Sequence, residues 1–178
     1  MNHTRDRLQF FASSADKAPG KGAGEHLAHP SQYAELAAIP HWRRVLSNFH
    51  VCPFVYRGRT YRTIEHAFQA AKIRLADPAA ADRFTVESQT ELGRGDGLNA
   101  RKARKMVVLR AADILRWDTT SASVMAEIAR KKFAACPDAL RVLRLTRDAE
   151  LWHAAPRMKA VRFKHLELMR SGDERGGA

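Results

Sequence analysis

Acidic residues are in short supply in this chain: 19 Asp and Glu stand against 31 Lys and Arg, for a formal charge of +12 and a pI near 10.4. A surface so poor in acid attracts polyanions, which makes nucleic acid or a phosphate-rich ligand the expected kind of partner. Long apolar runs are also missing. None approaches the ~20 residues that span a bilayer, and the opening Met1-Asn2-His3-Thr4-Arg5-Asp6 lacks the apolar centre of a secretory signal. The expectation is a cytoplasmic protein that makes no use of a membrane. Cysteine is limited to Cys52 and Cys136, without metal-ligand spacing. No metal and no cofactor are expected, and the two cysteines read as small buried filler in a reducing compartment. Walker, dinucleotide, zinc-finger, recognition-helix and RNA-recognition signatures are absent, as are repeats, heptads and low-complexity tracts.

What is present fits one domain with a real core: 178 residues, 45% hydrophobic and 28% charged. We expect a flexible segment over 1–9, a single domain over 10–170 and a disordered polar tail over 171–178. Pro53-Phe54-Val55-Tyr56 and Thr60-Tyr61-Arg62 flank Arg57-Gly58-Arg59 as a short hairpin. Helices are expected from Thr63 to about Leu75, ended by Asp77-Pro78, then over Ala79–Glu87, Lys102–Ile114, around Val124–Phe133, from Pro137, and through Met158–Met169. Gly93-Arg94-Gly95-Asp96-Gly97 reads as a loop. The fold class is α+β, helix-dominated, with a small antiparallel sheet or hairpin.

The most informative stretch is Thr63-Ile64-Glu65-His66-Ala67-Phe68-Gln69-Ala70-Ala71-Lys72. On a helix, Ile64, Ala67, Phe68, Ala71 and Leu75 share one apolar stripe. Glu65, Gln69 and Lys72 then line one edge of it, where the helix leaves the core. A half-desolvated Glu/Lys pair is the arrangement that acid–base and amine chemistry uses, although the same spacing also occurs on an ordinary amphipathic helix. His66 points about 100° away and reads as structural. Upstream, Pro19-Gly20-Lys21-Gly22-Ala23-Gly24, with Lys17, is either a linker or a loop whose backbone N–H groups wrap a phosphate.

Leu46-Ser47-Asn48-Phe49-His50, followed by the hairpin and Gly58 through Lys72, resembles the NADAR (YbiA-like) family, whose pattern is an Asn-Phe motif, a hairpin, and a helix carrying Glu-His, Gln and Lys. The resemblance extends through Lys132-Phe133 and Leu143–Thr146 to Leu168-Met169-Arg170. Two stretches resemble a longer subgroup: Phe10 to Glu25, with the Pro-Gly-Lys-Gly lead-in, and Ala149–His153 with Pro156-Arg157. The riboflavin-pathway members instead end in an Asp, a Trp-Gly and a Gly-Asn-x-Leu-Gly stretch, which this chain lacks.

The resemblance implies a YbiA-like fold and hydrolysis of an N-glycosidic bond between ribose C1 and an exocyclic amine. Its two implied substrate classes are ADP-ribose carried on guanine in nucleic acid, which would make the protein an antitoxin to a cognate ADP-ribosyltransferase toxin, and ribosylamino-pyrimidine intermediates of riboflavin biosynthesis. The first is favoured by the +12 charge and the His153/Arg157 ending. A non-catalytic module that binds ADP-ribose or nucleic acid is a third reading. In the first, Glu65 moves protons and Lys72 attacks or electrostatically manages the anomeric carbon. Asn48 and Gln69 hydrogen-bond sugar or base, and Phe49 forms a wall. Arg157 suits a diphosphate through its planar fork, with His153 beside it, or the two are a packing pair. Lys17, Gly20 and Lys21 are the phosphate-loop candidates.

Overall fold

Arg7-Leu8-Gln9-Phe10 alternates polar and apolar side chains, the period of a strand with one face in a core. Leu8 and Phe10 are fully buried, so residues 7–9 are an ordered strand and not a flexible lead-in. The structure, a computed structural model, describes residues 5–172; residues 1–4 of the expected flexible start and 173–178 of the expected tail lie outside the described residues. The strands are β1 (Arg7–Phe10), β2 (Phe54–Tyr56), β3 (Arg59–Tyr61), β4 (Glu150–His153) and β5 (Val161–Arg162). The helices are α1 (Ala34–Ala37), α2 (Trp42–Val45), α3 (Ile64–Ile73), α4 (Pro78–Asp82) and α5 (Glu91–Arg94), then α6 (Gly97–Lys102), α7 (Ala111–Ala135), α8 (Pro137–Leu145) and α9 (Lys164–Arg170). The result is helix-rich α+β with small sheets, and it gathers into two compact units, residues 1–47 with 137–178 and residues 48–136.

In the first unit β1 pairs in parallel with β4, and β4 pairs antiparallel with β5. Pairing takes over part of the segment expected to be a closing helix. Trp152 and His153 pair with Arg162 and Val161, so the last helix starts only at Lys164 and excludes Met158 and Val161. Arg162 ties this corner together through Glu150 (2.6 Å) and Glu167 (2.8 Å). Deeper inside, Arg43 and Glu25 form an ion pair at 2.7 Å with both side chains almost wholly removed from water.

In the second unit the hairpin forms as expected, with Arg57 and Gly58 both at positive φ (49° and 73°), the two-residue turn whose twist suits paired strands. Thr63 accepts from the His66 N–H (3.2 Å) and caps α3. Asp77-Pro78 both ends that helix region and starts α4, because the Asp77 carboxylate accepts from the Ala80 N–H. Two expected helices are redrawn. Ala79–Glu87 is broken after Asp82, and Lys102–Ile114 gives way to α6, a 3₁₀ turn over Ala103–Lys105, and a separate α7 that begins at Ala111. The Arg110–Asp113 capping contacts make the new start local and favourable. The Gly93–Gly97 stretch is half helical, with Asp96 capping α6.

Cys52 and Cys136 are joined by a disulfide, so the expectation of two reduced fillers is corrected. The bond links positions 84 residues apart and closes the second unit at its two ends. Reduction, or Cys52→Ser with Cys136→Ser, should lower unfolding stability by about 4 kcal/mol, the chain-entropy value for a loop of this length; urea unfolding with and without reductant measures it. Glu25→Ala leaves Arg43 buried without its carboxylate and should cost about 3–5 kcal/mol in the same experiment.

Candidate functional site

Helix α3 does not sit half out of the core as its apolar stripe suggests. Ile64, Glu65, His66, Ala67, Gln69, Ala70 and Ile73 are all buried, whereas Phe68, Ala71 and Leu75 are half-exposed. Packing by α4, α6 and α7 encloses the helix on several sides and takes polar residues inside with it. His66 is structural, as expected: its Nε2–H donates to the Leu92 carbonyl (3.0 Å), which leaves Nδ1 to accept from the Thr63 hydroxyl (2.8 Å).

Glu65 is 8% exposed, and burial raises its carboxyl above the ordinary range. Three groups oppose that rise: the Gln69 amide, which donates to Oε1 at 2.9 Å, and the charges of Arg101 and Arg104. The Glu65 backbone N–H donates to the Asn48 carbonyl (3.0 Å), so the Asn48-Phe49 loop is fastened to the first turn of α3. Asn48 Nδ2 also reaches Met125 Sδ on α7 at 3.7 Å. Gly97, the first residue of α6, lies so close to Phe49 that a Cβ there would meet its Cα, Cβ and Cγ at 2.6 Å. Only glycine allows that approach, and α6 also carries Arg101, which lies within electrostatic range of Glu65.

One atom of this cluster is left over. Gln69 Oε1 is buried and accepts no hydrogen bond, although a buried acceptor without a donor is costly. A ligand hydroxyl or amine placed there would satisfy it. On the side of the two arginines, Leu98, Arg101, Lys102, Arg104 and Lys105 line a cleft of about 290 Å³. The Arg101–Lys105 knot is visible in the sequence, but a linear count of charge does not say what it faces.

Lys72 is half-buried one turn beyond Gln69 and makes no side-chain hydrogen bond or ion pair among the described residues. The amine that burial acts on is Lys132 of α7, fully enclosed, with Nζ 4.1 Å from the Phe133 ring centre and pushed down to about 7. Burial, and then the Lys132 charge, holds His50 at about 4. In the sequence, Lys132 is marked only by a family motif.

The other expected site residues belong to the first unit. His153 stacks on Phe163 (5.3 Å between centres, 13° between planes) and meets Phe10 edge-on. Arg157 is exposed at positive φ in the turn before β5. The glycine loop does wrap an anion, but an internal one: Gly20 and Gly22 N–H groups donate to the Glu25 carboxylate at 2.9 and 2.8 Å. The phosphate-cradle reading is therefore corrected. Gly20 is occupied, and Lys17 and Lys21 project from a loop already filled.

Buried charge should show in the pH dependence of stability. The folded Glu65 carboxyl takes its proton at higher pH than the unfolded one, so stability falls as pH rises through that range. Glu65→Gln should therefore melt at higher temperature than the parent at about pH 8, with the gain fading below about pH 4, the ordinary carboxyl range. Lys132 has the opposite sign. Its cost is fully present below pH 7 and is relieved as pH climbs toward the ordinary 10.5. Lys132→Met should gain most in acid, and calorimetry across pH reads both variants.

No helix of the described residues is long and apolar enough to cross a membrane. No curated protein matches the chain in sequence. The fold is similar to that of the E. coli protein YbiA, known from an NMR structure, with a TM-score of 0.50 at 20% identity over 86% of this chain and 70% of that one. The family model for the NADAR domain matches residues 39–160, more than half of the sequence and inclusive of the Asn48-Phe49 loop and α3. The chain belongs to the NADAR family, whose members are generally N-glycosidase-like.

Proposed function

We propose that this protein hydrolyses the N-glycosidic bond between ribose C1 and an exocyclic amine, and that its substrate is ADP-ribose carried on guanine in nucleic acid. The observation that carries this reading is the juxtaposition of a desolvated carboxyl, Glu65, with an unsatisfied amide oxygen on Gln69 and a cation-lined cleft that includes Arg101 and Arg104. A carboxyl raised by burial can protonate a leaving nitrogen that water would protonate poorly. The Gln69 oxygen accepts from a ribose hydroxyl, the Asn48 amide holds sugar or base, and Phe49 walls the reacting ring. Arg101 and Arg104 suit a diphosphate, because planar guanidiniums engage paired oxygens.

The bond that breaks is C1–N. The guanine amine leaves with a proton from Glu65, and water adds its oxygen to C1 and returns a proton to the Glu65 carboxylate. Lys72 serves the anomeric carbon, either by stabilising the developing charge through space or by forming a transient imine with ring-opened ribose that water then releases. A cognate ADP-ribosyltransferase would supply the modified base.

Incubation with ADP-ribosylated guanine in single-stranded DNA should release ADP-ribose, and Glu65→Gln should lower the rate by about 10²–10⁴, the usual worth of a positioned proton-transfer group. Borohydride should trap an adduct that disappears in Lys72→Ala if the imine route operates, and none if Lys72 acts through space. No release from DNA, with turnover of a small ribosylamino-pyrimidine phosphate and little salt dependence, would move the substrate to the riboflavin-pathway class.

A further inference from the structure

The surface of residues 98–116 has a composition that the reaction at Glu65 does not require. It carries six cations and one acid, Asp113, and that acid is already paired with Arg110 at 3.1 Å. The segment thus holds a net +5 of the chain's +12. Lys102 and Lys105 have no acidic partner among the described residues, and both open onto the cleft that Arg101 and Arg104 share. Like charges held this close repel one another, and an anionic ligand with several phosphates is what removes the cost.

The same segment carries aliphatic side chains that folding leaves in water, one of them, Leu98, in the cleft itself. Leu98 is 47% exposed, Leu115 68% and Val108 90%. Val108 is the tip of a short connection whose other apolar members, Met106, Val107 and Leu109, are half-buried and hold it in place. A free diphosphate would use the cations and leave these side chains unexplained. A membrane surface would use both, but interfacial binding uses one continuous apolar helix face, and Leu98, Val108 and Leu115 are divided between α6, the connection after it and α7. A nucleic-acid strand presents spaced phosphates and, wherever a base is unstacked, an apolar face or gap.

We propose that residues 98–116 form the surface on which a nucleic-acid strand lies: Lys102 and Lys105 hold phosphates that flank the reacting nucleotide, and Val108 packs against the bases opened beside it. The proposal rests on the substrate reading given above and assigns the strand a track. An enzyme that acts on a base must take it out of the stack, and an anchored aliphatic tip on the segment that also brings Arg101 and Arg104 toward Glu65 is suited to fill the space left behind.

Binding without chemistry tests it. Fluorescence anisotropy with a labelled, unmodified single-stranded DNA oligonucleotide is measured across salt concentration. Lys102→Glu with Lys105→Glu should weaken binding at least tenfold and make the slope of log affinity against log salt shallower by about 0.7 for each phosphate no longer held. Lys102→Arg with Lys105→Arg should keep both. Val108→Ser should weaken binding several-fold and leave the slope unchanged, since no charge is altered. Unchanged affinity and slope in the Glu pair, with thermal melting intact, overturns the proposal, as does tighter binding to phosphatidylserine vesicles than to DNA. The two readings fail separately. DNA binding mapped to Lys102 and Lys105 without ADP-ribose release removes the reaction, and release with DNA affinity indifferent to these residues removes the surface.

Discussion

Removing the Glu65 carboxyl from water carries a cost that ordinary core packing avoids, and much of the second unit is arranged around it. The helix that carries it is enclosed by α4, α6 and α7. Its first turn is fastened to the Asn48 carbonyl, and the Gln69 amide supplies one hydrogen bond to the carboxyl. Gly97 lets α6 approach Phe49 closely, and the same helix carries Arg101, whose charge acts on the carboxyl. The amide and the arginines moderate the desolvation without abolishing it, because the carboxyl remains raised. A stable fold has no need of such a group at this depth, whereas proton transfer to a poor leaving nitrogen does.

The shortage of acid gives the rest of the charge its meaning. Many of the acids are engaged in pairs: Glu25 with Arg43, Glu150 and Glu167 with Arg162, Asp82 with Arg74 and Arg59, Glu127 with Arg57. Once those pairs form, cations without an acidic partner among the described residues remain at Lys102 and Lys105. The exposed pairs contribute little to stability. Their effect is to concentrate an unspecific +12 into a local field beside the candidate site.

Burial also explains why glycines and a cysteine pair mislead a linear reading. Backbone N–H groups in the Pro19–Gly24 loop do converge on negative charge, as the composition suggests. The charge is the Glu25 side chain, because that carboxylate is three to five residues away and Arg43 fixes it in place. Cys52 and Cys136 carry no spacing signal at all, since a bond across 84 residues is set by how α7 returns to the hairpin. Helix breaks after Asp82 and Lys102 are hidden for the same reason: Ala-rich and Lys/Arg-rich runs favour helix locally, and tertiary packing overrides that preference.

Short-range chemistry was enough to specify the family motif, the hairpin and its positive-φ turn, the Thr63 cap, and the alignment of Glu65 with Gln69 on one helix. Those features depend on residues within a few positions of one another, where periodicity and turn preferences act directly. Everything that depends on enclosure had to wait for the folded chain. Folding made Glu65 a buried carboxyl and not an edge residue, left the Gln69 oxygen without a donor, and brought Arg101 and Arg104 to the carboxyl. It also enclosed Lys132, which no periodicity or spacing marks. Desolvation is a property of what surrounds a side chain on all sides, and that is fixed only when distant segments meet.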